Sequence, residues 1–142
     1  MDPTSYNLPP DYIYSDQPFG ILFFKLYDGM NYLSAQKKCK QDGAALPVPK
    51  SMEENEYFGN LGRNQGKHIW LGINDIANEG EFVDNDGQAI TFQNWNTGNP
   101  SNSGPDSNED AVELQAVQSD DFKWNDLSIN NDKPSALCVF FP

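Results

Sequence analysis

A long polar stretch at residues 94–126 constrains the fold of this chain more than any other feature. It is rich in Asn, Asp, Ser, Gly and Pro, and it lies between the two tryptophans Trp95 and Trp124. Such a loop cannot be packed as a hydrophobic core, because its backbone and side-chain polar groups would be left unpaired. A hard cation would order it, since Ca²⁺ accepts carboxylate, amide and backbone carbonyl oxygens. The composition alone equally fits a solvated loop of turn-forming residues.

The overall composition is that of one acidic globular domain. The 142 residues suffice for one domain with a hydrophobic core, and 21% charged with 13% aromatic residues is a globular composition. The net charge of −12, from 21 acidic and 9 basic residues, argues against binding to the nucleic-acid backbone. Such acidity is found in calcium-binding and mineral-binding proteins, and also in proteins for which it only increases solubility.

The two cysteines, Cys39 and Cys138, are too far apart for a redox CxxC motif or for metal-ligand spacing. A disulfide between an early element and the last strand is the favoured interpretation, and it would indicate an oxidising compartment. Two buried free thiols are the alternative.

No targeting or membrane segment is predicted. The first residues are acidic and polar, and no apolar run is long enough to insert into a membrane. If the protein is secreted, we expect this sequence to be a mature or recombinant form with a starting Met.

Residues 1–18 contain four prolines and predict an extended N-terminal arm without a helix, followed by one domain at residues 19–142. We expect the arm to contact the domain through Tyr12, Ile13 and Tyr14.

Two helices are predicted. The first covers residues 31–42, where Asn31 can cap the start and Gly43 can end the helix in the left-handed conformation. The second covers about residues 52–61, because Ser51 begins a capping box and Gly62, Asn64 and Gly66 follow to end the helix.

Apolar runs bounded by turn-forming residues predict the strands, and a turn at residues 74–80 carries two carboxylates. Strands are expected at residues 19–27, 68–73, 81–83, 89–92, 111–114, 122–124 and 136–140.

Catalytic motifs are absent from the sequence. His68 is the single histidine and begins an apolar strand, so a structural or exposed role is favoured. There is no nucleophile elbow, phosphate-binding loop or zinc motif. A glycosidase that uses Asp75 and Glu79 as an acid/base pair is the weakest of the functional hypotheses.

Six short motifs occur in the order that is typical of the C-type lectin-like domain family, and residues 32–39 with Gly43 and Leu46 resemble the first helix of that family. The motifs are Trp70-Leu71-Gly72-Ile73, Glu79-Gly80-Glu81-Phe82, Phe92-Gln93-Asn94-Trp95, Glu109-Asp110, Lys123-Trp124-Asn125-Asp126 and Leu137-Cys138-Val139-Phe140. The resemblance covers about residues 19–141. It implies an α+β fold in which two helices flank small antiparallel sheets, with a long calcium-binding loop region.

In the sugar-binding members of that family, one Ca²⁺ is held by the residues on both sides of a loop proline, by a later Glu, and by the Asn-Asp of the Trp-Asn-Asp motif. The same ion coordinates two neighbouring sugar hydroxyls. The resemblance thus implies metal and carbohydrate ligands at Asn99, Ser101, Glu109, Asn125 and Asp126. Pro100 is expected in the cis form.

A second, structural Ca²⁺ site in the family uses the turn after the first motif together with the loop. The resemblance implies that its ligands are Asp75, Glu79, Asn102, Glu109 and Asp110. Four carboxylates favour a hard dication strongly. The alternative is that they are only surface acids.

Two features depart from the family pattern. Mannose-type members carry Glu-Pro-Asn and galactose-type members Gln-Pro-Asp, whereas this chain has Asn99-Pro100-Ser101. The sugar site is expected to bind its ion more weakly than in those members. The neutral Asn replaces a charged ligand, and the Ser hydroxyl is a poorer calcium ligand than a carboxylate or an amide. The family also usually has a second disulfide near the loop, but Ala111 occupies one position and residues 127–131 contain no cysteine.

The sequence therefore predicts a secreted, calcium-dependent carbohydrate-binding protein that is not an enzyme. The alternative is a calcium-stabilised protein of the same fold that binds a protein, mineral or ice surface. The sequence leaves open which sugar is bound and whether the chain forms a homo-oligomer. The tryptophans are expected in the core: Trp70, Trp95 and Trp124.

Overall fold

The computed structural model describes residues 2–100, 109–117 and 121–142, which contain a short 3-10 helix, two α-helices and six strands. The 3-10 helix is Pro3–Tyr6. The other elements are β1 (Ile13–Gln17), β2 (Gly20–Gly29), α1 (Tyr32–Gln41), α2 (Met52–Asn64), β3 (Ile69–Asn74), β4 (Ala111–Leu114), β5 (Trp124–Leu127) and β6 (Ser135–Phe140).

The strands of the described residues form one sheet in the order β1-β2-β6-β3-β4-β5. Neighbouring strands are antiparallel except for β3 and β6, which are parallel at Ile69 and Ser135. The α+β class is confirmed. The expected small antiparallel sheets are in fact joined into a single mixed sheet by this parallel pair.

Both faces of the sheet are covered, which explains why β3 is almost entirely apolar. Ile69, Leu71 and Ile73 point into a core that includes Phe58 of α2. Trp70 points to the opposite face, into a second core with Tyr32, Ala35 and Cys39 of α1. The two predicted flanking helices therefore lie on opposite faces of the sheet.

Helix α1 begins and ends as predicted. The side chain of Asn31 accepts a hydrogen bond from Ser34 N at 2.9 Å, and Gly43 has a φ of +82° after the last turn. The predicted disulfide between Cys39 and Cys138 is present, so α1 is bonded covalently to β6.

Helix α2 begins at the predicted capping box, where Ser51 Oγ accepts from Glu54 N at 3.2 Å, but it ends three residues later than predicted. Gly62 lies inside the helix, and a glycine is needed there because a Cβ would come within 2.7 Å of Lys67 O. The glycine permits close packing of the chain, and the turn comes at Gly66, with φ of +67°.

The N-terminal residues are more structured than the predicted arm. They contain the 3-10 helix, and β1 pairs with β2 in a hairpin that crosses residue 18. Leu8 and Tyr12 are buried in the second core, and the ring of Tyr14 packs edge-on against Phe23, with the ring centroids 5.7 Å apart. The side chain of Ile13 is largely exposed. The hydroxyls of Tyr12 and Tyr27 both donate to Asp42 at the end of α1, and this contact joins the N-terminal residues to the helix.

Burial, and then the hydrogen bond to Asp42, raise the pKa of Tyr12 well above its usual value near 10. Its contribution to stability is complete below pH 10 and is lost as the pH rises further, because the unfolded state then loses the proton more readily. We expect the free energy of unfolding to fall by about 1 kcal/mol more in the wild type than in Tyr12→Phe between pH 9 and 11. Urea unfolding at both pH values measures this difference. Tyr14→Phe, with its exposed side chain, should behave like the wild type, and an equal loss in Tyr12→Phe would contradict the prediction.

The predicted hairpin at residues 81–92 is reduced to single bridges. Val83 pairs with Ala89 and also with Asn74 of β3, so the strands expected on either side of the turn are not formed. The turn is closed instead by the side chain of Asp84, which accepts from Asp86 N and Gln88 N. The pairing with Asn74 fixes the chain immediately beside the carboxylate-bearing turn.

Candidate functional site

The turn after β3, residues 75–80, is held in place by hydrogen bonds on both sides. Asp75 N donates to Asp110 O at 2.9 Å, and Gly80 N donates to Asp75 Oδ2 at 2.8 Å. Asn74 Oδ1 accepts from Ile76 N, and its Nδ2 donates to the hydroxyl of Tyr32 on α1. Asn74 therefore connects the turn to the helix that carries the disulfide.

Three carboxylates meet at this turn. One oxygen each of Asp75, Glu79 and Asp110 lie within 4.8 Å of one another. Asp75 is only 2% exposed, and its buried Oδ1 has no hydrogen-bond partner among the described residues. A buried, unpaired carboxylate oxygen among other carboxylates is unfavourable, so the arrangement fits a cation that would bind this atom.

The electrostatics of the cluster lead to the same conclusion. Burial, followed by the interaction with Glu79, raises the pKa of Asp75 to about 7. Burial, followed by the charges of Glu79 and Asp126, also raises the pKa of Asp110. Without a cation the carboxylates oppose one another's ionisation, and a divalent ion would remove this repulsion. Carboxylate oxygens in this number are ligands that suit Ca²⁺.

The residues implied for the sugar site are only partly described. Asn99 is half-buried, and the Asn99–Pro100 peptide bond is cis, as predicted. Glu109 is half-buried two residues before the start of β4, and Asp126 is fully buried on β5. Ser101 and Asn102 lie outside the described residues, so their predicted roles stay predictions.

Hydrogen bonds place the start of the polar loop beside β5. Asn96 N donates to Trp124 O and Asn99 N donates to Asn96 O, both at 2.9 Å. Asp126 is within electrostatic reach of Asp110, which connects the end of β5 with the acidic cluster. The cluster and the predicted sugar-site residues Asn99 and Asp126 thus border the same loop region.

Asn125 has a partner that the sequence analysis missed. Its Nδ2 donates to Glu113 Oε2 at 3.0 Å, across the β4–β5 pair in which the two residues are directly opposite. Glu113 is only 6% exposed. With its amide nitrogen on Glu113, Asn125 keeps its carbonyl oxygen for another ligand. The sequence signal was a carboxylate inside the apolar strand at residues 111–114.

Two buried asparagines support the loop and were also missed. Asn55 of α2 accepts from Trp124 Nε1 at 2.7 Å and donates to Phe122 O at 3.0 Å. Asn94 Nδ2 donates to Phe122 O as well. Phe122 has a φ of +48°, and these hydrogen bonds hold its carbonyl from two sides. They fix the approach to β5, which carries Asn125 and Asp126.

The tryptophans have the predicted packing roles. Trp70 and Trp124 are fully buried, and Trp95 packs in a half-buried position against Trp124 and Phe82. His68 has a structural contact, since its Nδ1 accepts from Ala116 N at 2.9 Å.

The chain is similar to known proteins in sequence and in fold. The family model of the lectin C-type domain matches residues 28–140. The chain belongs to the C-type lectin domain family. Members of this family are binding proteins and not enzymes, so the chain is a binding domain.

The curated relatives that are more than 30% identical to the chain include a collectin and a perlucin-like protein. Collectin-43 of Bos taurus is 32% identical over 111 residues, which cover 78% of this chain and 33% of the relative. A perlucin-like protein of Mytilus galloprovincialis is 31% identical over 120 residues, covering 82% of this chain and 74% of the relative. The chain thus spans about a third of the collectin and about three quarters of the perlucin-like protein.

Solved structures share the fold along nearly the whole chain. The carbohydrate-recognition domain of the mouse scavenger receptor C-type lectin has a TM-score of 0.75 at 22% identity, covering 94% of this chain and 97% of that domain. A calcium-independent type II antifreeze protein has a TM-score of 0.72 at 19% identity, covering 94% of this chain and 93% of that protein. At these identities the likeness concerns the fold alone. Among the described residues, no helix has the length and apolar character needed to cross a membrane.

Proposed function

We propose that this domain binds carbohydrate through a loop-bound Ca²⁺, and that the cluster of Asp75, Glu79 and Asp110 holds a second, structural Ca²⁺. The observation that carries the proposal is the buried, unpaired Oδ1 of Asp75 among three converging carboxylates. It supports a cation at this turn, and family membership supports the sugar as the ligand class.

The sugar-site ion would be held by the predicted set, with Asp126 and Glu109 supplying charge and Asn99 and Asn125 supplying amide oxygens. Calcium would coordinate sugar hydroxyls directly, because hydroxyl oxygens can complete its coordination shell. The described residues support the proposal through the neighbouring positions of Asn99 and β5 and through the amide nitrogen of Asn125, which is engaged by Glu113. Ser101 and Asn102 would complete the two ligand sets.

The disulfide supports a secreted protein, because such bonds persist in oxidising compartments. A homo-oligomer is compatible with this proposal, since weak single-site binding gains greatly from several linked sites.

The test is binding to a glycan array in calcium and again in EDTA. We expect binding in calcium, loss of binding in EDTA, and strong loss in Asp126→Asn, which removes a charge from the proposed sugar-site ion. Glu56→Gln is the matched control, since it removes one carboxylate charge from an exposed position of α2. Circular dichroism confirms that each variant is folded.

A second function is favoured by one observation, the Asn99-Pro100-Ser101 triplet, which matches neither of the sugar-type triplets. In this case the domain would be calcium-stabilised but would bind a protein, mineral or ice surface. Absence of glycan binding in calcium, with a calcium-dependent rise in melting temperature, would select this second function and reject the first.

A further inference from the structure

Two adjacent cavities lie along residues 44–46, on a part of the domain that shares no residue with the acidic cluster. Their volumes are about 480 and 360 Å³, and both are lined by Ala44, Ala45, Leu46 and Asn85. Helix α1 forms the outer wall of the larger cavity, and the end of β6 forms that of the smaller one. We call the two cavities together the lysine groove.

Three lysines line the groove in a strongly acidic protein. Lys37 and Lys40 of α1 border the larger cavity, and Lys50 borders the smaller one. They are a third of the 9 basic residues, in a chain that carries 21 acidic ones. The groove is therefore a local positive region on a negatively charged molecule.

These lysines are poorly compensated within the protein. Among the described residues, no carboxylate oxygen lies within 4.0 Å of the ammonium groups of Lys37 or Lys40, and Lys50 reaches only Asp84, at 3.8 Å. The acid nearest in sequence, Asp42, accepts hydrogen bonds from two tyrosine hydroxyls. Lysines that stay unpaired among so many acids can attract an external anion.

Most of the other lining residues are apolar, and they select among anions. Leu33 is 53% exposed at the larger cavity, and Phe141 is 47% exposed at the smaller one. A sulfated polysaccharide would satisfy the lysines but would leave these side chains uncovered. A peptide with both acidic and apolar side chains would satisfy both.

Asn85 provides a polar contact at the boundary of the two cavities. Its Nδ2 donates to Leu46 O at 3.0 Å, and its Oδ1 has no partner among the described residues. Asn85 is an exposed residue, and an amide oxygen can accept a backbone N–H of an extended peptide. We propose that the lysine groove binds an acidic peptide segment that carries apolar side chains, as a second binding site of this domain, independent of calcium.

The test uses a fluorescein-labelled heptapeptide of sequence Asp-Glu-Leu-Asp-Phe-Glu-Asp and fluorescence anisotropy of the full chain. We expect saturable binding that persists in EDTA and that weakens as sodium chloride is raised, because salt screens the lysines. Lys37→Glu with Lys40→Glu should lower the affinity about tenfold or more. A peptide in which serines replace Leu and Phe should bind less tightly than the original.

The matched control is Lys67→Glu with Lys133→Glu, which makes the same change in net charge at two exposed positions outside the groove. It should bind like the wild type, and circular dichroism should show that both double variants are folded. The proposal is overturned by three results: no saturable binding to the wild type, equal loss in both double variants, or displacement of the peptide by a heparin oligosaccharide that itself binds more tightly. Because the peptide assay is done in EDTA as well, its failure is distinguishable from failure of the sugar site.

Discussion

Asp75→Asn is expected to stabilise the calcium-free protein and to destabilise the calcium-loaded one. Asp75 is buried beside Glu79 and Asp110, and within the described part of the chain its Oδ1 has no hydrogen-bond partner. Without calcium, an amide at this position removes one charge from the cluster and can donate to a neighbouring carboxylate. Its oxygen can still accept from Gly80 N. With calcium, the same change removes a charged ligand and weakens the binding of the ion.

Melting temperatures in EDTA and in excess calcium measure both effects. An ion present at a hundred times its dissociation constant stabilises the wild type by about 2.7 kcal/mol, which corresponds to a rise of roughly 10 °C for a domain of this size. We expect Asp75→Asn to melt above the wild type in EDTA and to lose most of the rise in calcium. Asp16→Asn, an exposed acid on β1, is the matched control and should leave both temperatures unchanged. A variant that melts below the wild type in EDTA as well would show that Asp75 is needed for the fold itself.

The pH dependence follows from the same carboxylate. Burial raises the pKa of Asp75 from its usual value of about 3.8 to about 7, so its favourable contribution to stability is complete below the usual value and is lost as the pH rises to 7. The calcium-free wild type should therefore gain stability relative to Asp75→Asn when the pH is lowered from 8 to 5. Excess calcium should abolish this gain, since the ion favours the charged form.

The elements that could be predicted from the sequence are those with local signals. Asn31 and Ser51 cap the helices through side chains that reach only three residues along the chain, and these caps are where the pattern placed them. The apolar run of β3 also predicted a buried strand, and the two cysteines predicted the disulfide. Gly62 gave a wrong helix end, because a glycine that permits close packing has the same sequence signal as one that ends a helix.

What the sequence did not indicate depends on contacts between distant residues. The burial of Leu8 and Tyr12 and the pairing of β1 with β2 arise from the second core and from Asp42, none of which follows from proline content. The roles of Asn55 and Asn94 were missed for the same reason. Each binds the backbone carbonyl of Phe122, and an asparagine in a helix or loop is ordinarily a polar surface residue.

For the candidate site, the sequence predicted the acidic turn but not its electrostatic state. Asp75, Glu79 and Asp110 were named from motif order, and the structure brings their oxygens within 4.8 Å. The buried Oδ1 of Asp75 lies where the chain before β4 comes close, since Asp75 N donates to Asp110 O. A sequence pattern does not predict such a contact between distant segments. The same is true of Glu113, which contacts Asn125 only because β4 and β5 pair in that register.

Replacing both cysteines by alanine should give the largest loss of stability. The bond joins residues 99 positions apart, so it closes a loop that contains most of the domain. In the chain-entropy model, closing a loop of this length stabilises the folded state by about 4–5 kcal/mol. Domains of this size are typically stable by only about 5–15 kcal/mol. The double variant Cys39→Ala, Cys138→Ala should therefore unfold at much lower urea concentration, and calcium should restore part of the loss.

Treatment with a reductant separates the effect of the covalent bond on stability from the effect of packing by the two cysteine side chains. Both cysteines are fully buried, so alanine also leaves small cavities. Reduction of the unfolded wild type by dithiothreitol before refolding should lower the free energy of unfolding nearly as much as the double variant does, and dithiothreitol should not affect the variant. No other disulfide can compensate, because the chain has only these two cysteines. At the position of the family's second bridge, Ala111 is buried in a core against which Ile129 packs. A loss below about 1 kcal/mol would show that the remaining packing and the calcium-binding turn hold the domain without the covalent link.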